Sequence, residues 1–337
     1  MSKKILIIGG TRNMGYYLAK QLAESGADLT LLNRGITQDD LPGSIHRLHA
    51  DRTDSRQMRR ALLAKRFDVV VDFVMFRQEE AETAINIFRD NIDHYIVISS
   101  GQVYLVREGL ERPFHEDDYE GPVIDAPGEN SYAYEEWLYG VQKREVEDHF
   151  RREWQRSKFP YTSLRLPMVN SVRDQFHRLY NYFLRLRDGG VLLLPEVPNF
   201  ALNHVYALDV VSAIRRIIKT GEGKGEAFNI AQDEHLGLDE FLSLMAAIMG
   251  VDLHVLRVKR TELEANGFLP DCSPFSERWM SALDNGRSKE ILGIRYTPLP
   301  EYLEILVRHY QAHVIAPPLT FRRRRAELSF AEQFLQH

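Results

Sequence analysis

The stretch Lys3-Lys4-Ile5-Leu6-Ile7-Ile8-Gly9-Gly10-Thr11-Arg12-Asn13-Met14-Gly15-Tyr16-Tyr17-Leu18-Ala19 constrains the fold more than any other. Four consecutive branched apolar residues, Ile5 to Ile8, read as a strand buried on both faces, as in a parallel sheet. A glycine turn follows, and Met14, Leu18 and Leu22 then recur at helical spacing. Strand, glycine turn and helix open a dinucleotide-binding βαβ unit. Its glycines let the backbone approach a pyrophosphate, and the helix N-terminus presents free N–H groups and a partial positive charge. Gly9, position 12 and Gly15 keep a loose Gly-x-x-Gly-x-x-Gly spacing in which Arg12 replaces the middle glycine. Taken alone, the motif also fits a tight βα turn that holds no ligand.

The chain has 337 residues, 44% of them hydrophobic and 27% charged, enough for one large domain or two smaller ones. A net charge of −5 supplies no overall basic field to recruit nucleic acid or an acidic membrane. No apolar run approaches the roughly 20 residues that cross a bilayer. The N-terminus enters a strand at once, leaving no room for a signal peptide. A single cysteine, Cys272, excludes an intramolecular disulfide framework and any thiolate zinc site. His46 and His49 lack further ligands, so no metal is expected. The composition reads as that of a cytoplasmic protein.

Asp28 to Leu32 forms a second apolar strand that ends at Asn33-Arg34-Gly35, where a dinucleotide fold reads the adenosine ribose. An NAD-preferring site places a carboxylate there; this chain offers Asn33 and Arg34. A guanidinium binds a 2′-phosphate bidentately or stacks on adenine, and Arg12 is close enough in such a fold to join it. NADP(H) is therefore the expected cofactor, with NAD(H) the alternative. The plain reading of Arg34 is an exposed arginine starting a loop. After a short strand from His46 to His49 come Asp51 and Arg52. Asp51 either accepts from the adenine amino group or caps the helix that begins near Asp54. Phe67 to Phe73 and His94 to Ser100 are further strands, with a helix from Glu79 to Arg89 between them. Apolar strands alternating with helices predict an α/β fold, a Rossmann-type doubly wound parallel sheet. Ligands sit outside the carboxyl ends of such strands, where Gly9, Asn33, Asp51, Phe73 and Ser100 all fall.

From about Glu135 to Gln155 the pattern is helical, with Leu138, Val146, Phe150 and Trp154 on a buried line. Tyr139 and Lys143, four residues apart, share a face. A phenol of ordinary pKa about 10 acts near neutrality only if a cation favours the phenolate. Lowering it by three units takes about 4 kcal/mol, which Lys143 and an oxidised nicotinamide ring are expected to supply. Alone, this spacing fits a half-buried tyrosine beside a solvated lysine. With Ser100 at a strand end and the glycine turn, it describes an acid/base site.

These motifs resemble those of the extended short-chain dehydrogenase/reductase family, the NAD-dependent epimerase/dehydratases, over nearly the whole chain. The resemblance rests on Gly9 to Gly15, on Ser99-Ser100-Gly101-Gln102-Val103-Tyr104 and on Tyr139-Gly140-Val141-Gln142-Lys143. Leu164-Arg165-Leu166-Pro167 and the stretch Asn203 to Val210 support it. Gly9-Gly10-Thr11-Arg12, Asn33-Arg34-Gly35 and Asp51-Arg52 are similar to the subgroup that includes chloroplast stem-loop-binding proteins and bacterial relatives. The resemblance implies that Tyr139 is the general acid/base, that Lys143 holds the nicotinamide ribose and that Ser100 polarises the substrate oxygen. Pro167 and Met168 would lie against the nicotinamide, and Gly10, Thr11, Asn13, Met14, Arg52, Phe73 and Ser99 would complete the cofactor site. It also implies a homodimer, since members often pair through helices like the one at Glu135–Gln155. Sugar 4,6-dehydratases of the family carry an Asp-Glu pair directly after the catalytic hydroxyl. Here Gly101 and Gln102 stand there and cannot perform the elimination, so that activity is not expected.

Residues 1–170, returning at about 201–232, are expected to form the NAD(P)-binding domain. Residues 171–200 and 233–315 would make a smaller C-terminal α/β substrate domain, and 316–337 a tail. The long loop after Gly101 has an acidic centre, His115 to Asp118, that reads as a substrate lid or a solvated charge run. In the helical stretch Phe176 to Arg187, the residues Tyr180, Tyr182, Arg185 and Arg187 either bind a nucleotide or sugar phosphate or form core and rim. Pro317-Pro318, the run Arg322 to Arg325 and a short helix from Ala326 to Leu335 read as a solvated or oligomer-docking tail. The expected function is an NADP(H)-dependent oxidoreductase or epimerase acting at a carbinol or carbonyl of a small polar, sugar-nucleotide-like or biosynthetic substrate. An RNA-binding protein and a cofactor sensor on the same scaffold are the rivals; Ser100, Tyr139 and Lys143 together weigh against both.

Overall fold

The computed structural model describes residues 3–129, 131–197 and 200–336. The chain first runs β1 (Lys4–Ile8), α1 (Asn13–Glu24), β2 (Asp28–Asn33), β3 (His46–His49), α2 (Ser55–Leu62), β4 (Val69–Asp72) and α3 (Gln78–Phe88). Then follow β5 (His94–Ser100), α4 (Gln102–Leu105), α5 (Tyr132–Ser157), β6 (Tyr161–Leu166), β7 (Met168–Asn170), α6 (Arg178–Arg187) and β8 (Leu192–Pro195). The remainder is β9 (His204–Tyr206), α7 (Ala207–Thr220), β10 (Glu226–Asn229), α8 (Leu238–Met249), β11 (Val255–Val258), α9 (Arg260–Ala265), α10 (Gly286–Leu292), α11 (Leu299–Ala312) and α12 (Arg324–Phe334).

Seven strands form one sheet in the order β3-β2-β1-β4-β5-β6-β10, with every neighbouring pair parallel. In register, Ile7 lies beside Leu31 of β2 and Val71 of β4. Side-chain alternation sends Ile5 and Ile7 to the face covered by α1 and α7, and Leu6 and Ile8 to the face under α2, α3 and α5. Both faces are covered, which is why the strands are apolar without alternation. This is the doubly wound Rossmann-type sheet that the sequence predicts. Strand order reverses between β1 and β4, so a crevice opens above their carboxyl ends.

A second core gathers α6, α8 and α11 around Phe183, Leu242 and Leu303. A satellite cluster ties the parallel pair β8–β11 to α12 through Leu193, Val258 and Ala331. One face of the C-terminal helix is therefore packed against the protein, while its other face, with Phe334 and Leu335, is exposed. Arg185 of α6 and Glu327 of α12 are both fully buried and pair at 2.6 Å. Arg324 grips Asp188 through Nε and Nη2 at 2.7 and 2.8 Å. The basic run thus divides, with Arg324 inside and Arg322 and Arg325 exposed.

Two other expectations are corrected by the packing. Tyr180, Tyr182 and Arg185 are buried core residues and cannot bind a nucleotide; the two phenols meet Ile315 O and Ser273 Oγ. The acidic loop is no lid. Glu116 is buried with its carboxylate accepting from the Asn229 N–H at 2.8 Å, and Arg287 pairs with Asp117 at 2.6 Å. These bonds pin the loop to β10 and α10. Among the described residues no helix is long and apolar enough to cross a membrane.

Candidate active site

Gly9 and Gly10 adopt φ of +92° and +82°, values that a side chain would strain. A Cβ on Gly10 would meet Ile7 and Leu31 at 2.6 Å, and one on Gly15 would meet Gly10 Cα at 2.6 Å. Bare glycines therefore let α1 press against the turn that precedes it. Arg12, at the N-cap, makes no side-chain cap, so the first N–H groups of α1 are left for another acceptor.

Above the strand ends lies a cavity of about 1030 Å³. Asn33, Arg34 and Asp51 line one end, the glycine turn and Phe73 its middle. Ser100, Tyr139 and Lys143 follow, with Pro167 and Met168 opposite, and the far end is walled by Phe176, Arg178 and Trp279. All of the sequence-predicted site residues border this cavity except Gly15, which is buried beneath the turn.

Bordering the cavity is not the same as facing it. The Arg52 guanidinium is buried, 3.1 Å from Asp72 and 2.9 Å from the Glu80 carbonyl, so its side chain belongs to the protein interior. Ser99 Oγ turns the other way and donates to Glu147 of α5. Asn13, at φ +44°, accepts from Ser171 Oγ at 2.8 Å. Asn33 Oδ1 closes a turn by accepting from Gly35 N–H at 2.7 Å. Arg12 donates to Gln175 Oε1 at 3.0 Å and Thr37 Oγ1 at 3.1 Å. Arg34 is exposed beside Asp51 and its positive charge helps hold that carboxyl below the usual range, after the bonds from Thr53. The cap of α2 is Asp54, which accepts from the Arg56 and Gln57 N–H groups, so Asp51 is not the cap.

Burial dominates the Tyr139 phenol and raises it above its ordinary pKa, although Ser100 stands near enough to pull it down. In this arrangement the groups that pull the phenol's pKa down are Ser100 and Arg178. Lys143 Nζ donates to the Met75 and Ile98 carbonyls at 2.6 and 2.9 Å and lies 4.8 Å over the Phe76 ring. Its distance to the Tyr139 ring centre is 5.9 Å. Burial pushes the ammonium down to about 8, against the opposing fields of Asp72, Glu147 and Glu80.

Sequence reasoning missed a polar cluster on the same cavity. Gln102 Nε2 donates to Glu136 Oε2 at 2.6 Å, and Glu277 and Trp279 stand on the wall with them. Glu136 precedes Tyr139 by three residues, so helical spacing alone puts it on the catalytic face. Glu277 and Trp279 reach the cavity from a loop with no periodic signal.

With this geometry, the family profile described as "NAD dependent epimerase/dehydratase family" matches residues 5–100 and 87–231. The chain belongs to that family. A curated relative, the chloroplast stem-loop binding protein of 41 kDa b from Arabidopsis thaliana, is 28% identical over 258 residues. That match covers 70% of this chain but only 61% of the relative's length. Among solved structures, UDP-glucose 4-epimerase from Thermotoga maritima superposes with a TM-score of 0.71 at 17% identity, over 91% of this chain and 98% of that one. UDP-N-acetylglucosamine 4-epimerase from Bacillus cereus gives 0.70 at 19%, over 94% and 99%. A dTDP-glucose 4,6-dehydratase from Bacillus anthracis, solved with NAD, gives 0.71 at 14%, over 93% and 97%. These likenesses establish a shared fold.

Proposed function

We propose that this chain is a nicotinamide-dependent oxidoreductase or epimerase acting on a carbinol or carbonyl carbon of a small polar substrate, with NADP(H) preferred. The observation that carries this is the convergence of Ser100, Tyr139 and Lys143 on the same cavity as the Gly9–Gly10 turn. The uncapped start of α1 and two positive-φ glycines suit a pyrophosphate, which Gly9 to Met14 would hold. Asn33, Arg34 and Asp51 would hold the adenosine end, Lys143 the nicotinamide ribose, and Phe73, Pro167 and Met168 the ring. The family's name specifies NAD; the exposed Arg34 guanidinium and the absence of a carboxylate at Asn33 support a 2′-phosphate.

When bound, the nicotinamide supplies a hydride donor or acceptor. The chain's own residues handle the proton. Ser100 holds the substrate oxygen through its hydroxyl, and Tyr139 Oη takes that oxygen's proton or returns it. Lys143, lowered by burial to about 8, is still largely an ammonium at neutrality. Gly101 and Gln102 carry no acid for an elimination, which disfavours a 4,6-dehydratase.

Calorimetric titration of the cofactor-stripped protein with NADPH and NADH, alongside Arg34→Ala, tests this reading. NADPH should bind more tightly and lose about tenfold in the variant, while NADH is unaffected. Equal binding of both would favour an epimerase that recycles NAD. Binding of neither would overturn the enzyme reading. RNA recognition is the second reading, favoured by the name of the Arabidopsis relative and opposed by the net charge of −5. A gel shift with stem-loop RNA whose affinity falls steeply with salt would support it.

A further inference from the structure

At the cofactor end of the cavity, Arg12 is held between two loops. It is exposed, lines the cavity and directly follows Gly9-Gly10-Thr11. Its Nη2 donates to Thr37 Oγ1 at 3.1 Å, in the loop that leaves β2 past Asn33 and Arg34. Its Nη1 donates to Gln175 Oε1 at 3.0 Å, in the segment that joins β7 to α6. Both acceptors are neutral. Among the described residues the guanidinium has no ion pair, and its remaining N–H groups have no acceptor.

The carboxylates on the same two segments are all engaged elsewhere. Asp39 pairs with Arg47 at 2.8 Å and Asp40 with Arg173 at 3.1 Å. Arg173 in turn lies 3.5 Å over the Tyr16 ring. Asp174 faces Arg178 at 3.4 Å. Asp51, which also lines the cavity, accepts from Thr53 Oγ1 and N–H at 2.7 and 2.9 Å, and the cation whose charge acts on it is Arg34. Arg12 therefore carries a charge that no carboxylate offsets. Two neutral oxygens from separate loops spare this long side chain the loss of rotamer freedom on binding, and they do so without cancelling its charge. The charge stands at the β2 loop, where a dinucleotide fold reads the adenosine ribose. A 2′-phosphate gains from a fixed, uncompensated guanidinium; a 2′-hydroxyl gains little.

Building on the NADP(H) reading above, we propose that Thr37 and Gln175 are positioning residues that set cofactor specificity. They aim Arg12 at the 2′-phosphate of NADPH, which it shares with Arg34, and neither needs to touch the cofactor itself. A carboxylate in place of Gln175 would hold Arg12 equally well and cancel the charge that the phosphate requires.

Calorimetry on the cofactor-stripped full chain, with NADPH, NADH and 2′,5′-ADP as probes, tests the assignment. Gln175 is exposed, so its substitution spares the fold. Q175A should weaken NADPH and 2′,5′-ADP by about three- to tenfold and leave NADH unchanged, and T37V should do the same through the other tie. Q175E should weaken both phosphorylated ligands by at least about tenfold, a loss that shrinks as salt is added. In R12A, adding Q175A should cost nothing further, because the glutamine acts through the arginine. The proposal is overturned if Q175A and Q175E leave the NADPH-to-NADH affinity ratio at its wild-type value, if they weaken NADH as much as NADPH, or if Q175A costs the same with and without Arg12. Any of these results, with the wild type still preferring NADPH, strikes this inference alone. A wild type that binds the two cofactors equally strikes the NADP(H) reading beneath it, and this inference with it.

Discussion

Tyr139 and Lys143 stand one helical turn apart, but in this structure they hold on to different groups. Ser100 is the hydroxyl that acts on the phenol, and the ammonium is bound by the carbonyls of Met75 and Ile98. Removing the phenolic oxygen should therefore leave the cofactor end of the cavity intact. Tyr139→Phe is expected to bind NADPH as the wild type does, and to lose at least about a hundredfold in turnover of a carbonyl substrate. Turnover within a few fold of wild type would remove Tyr139 from the chemistry. The pair itself was legible from its spacing; the direction of each side chain was not. Ser99 shows what a closer reading would have found. It shares the parity of Tyr95 and Val97, both on the face under α5, so its hydroxyl had to point at that helix and away from the crevice. Asp72 held a similar clue. A carboxylate ending the apolar strand Val69-Val70-Val71 needs a buried cation, and Arg52 is that cation.

At the scale of elements, α12 separates what a local pattern reveals from what it hides. Its buried positions are Arg324, Glu327 and Ala331, so its inward stripe looks like a solvated face. The partner that makes the stripe bury, Arg185, lies 142 residues earlier, beyond the reach of any sequence window. The inner strands of the sheet lie at the other extreme: β1, β2, β4 and β5 each carry their own apolar signal, whereas the edge strand β3 (His46–His49) does not. Arg185 and Glu327 are both 0% exposed, so cutting one partner strands a buried charge. Glu327→Ala should cost about 3–5 kcal/mol of unfolding free energy, measured with urea. Replacing both residues with leucine should recover most of that loss. A single-variant cost below about 1 kcal/mol would show that α12 contributes little to the second core.

The whole molecule couples the large sheet to the second core, and two histidines report on that coupling. His94 of β5 is buried against Thr162, and His204 of β9 is buried against Asn170, Phe241 and Phe275. Burial lowers each to about 3. An unfolded histidine titrates near 6.5, so between the two values the unfolded chain binds protons that the folded chain does not. Both rings are neutral in both states above that range, where they add no slope. Stability must therefore fall as the pH drops below about 6.5, by up to about 1.4 kcal/mol per pH unit for each histidine. His149, His235 and His309, also lowered by burial, push in the same sense. The raised carboxyls of Glu116, Glu136, Asp209, Asp271 and Glu277 act oppositely as the pH falls through their raised values, so the histidine contribution is read from a histidine variant rather than from the total. Urea unfolding at pH 7 and pH 5.5 should differ by about 2 kcal/mol or more, and His94→Gln should remove about half of that difference. Because His94 reports on the sheet and His204 on the second core, the form of the transition is also informative. One cooperative transition that shifts as a whole means the two cores unfold together. Two transitions, only the later of them sensitive to His94→Gln, would mean that the second core opens first and leaves the sheet folded.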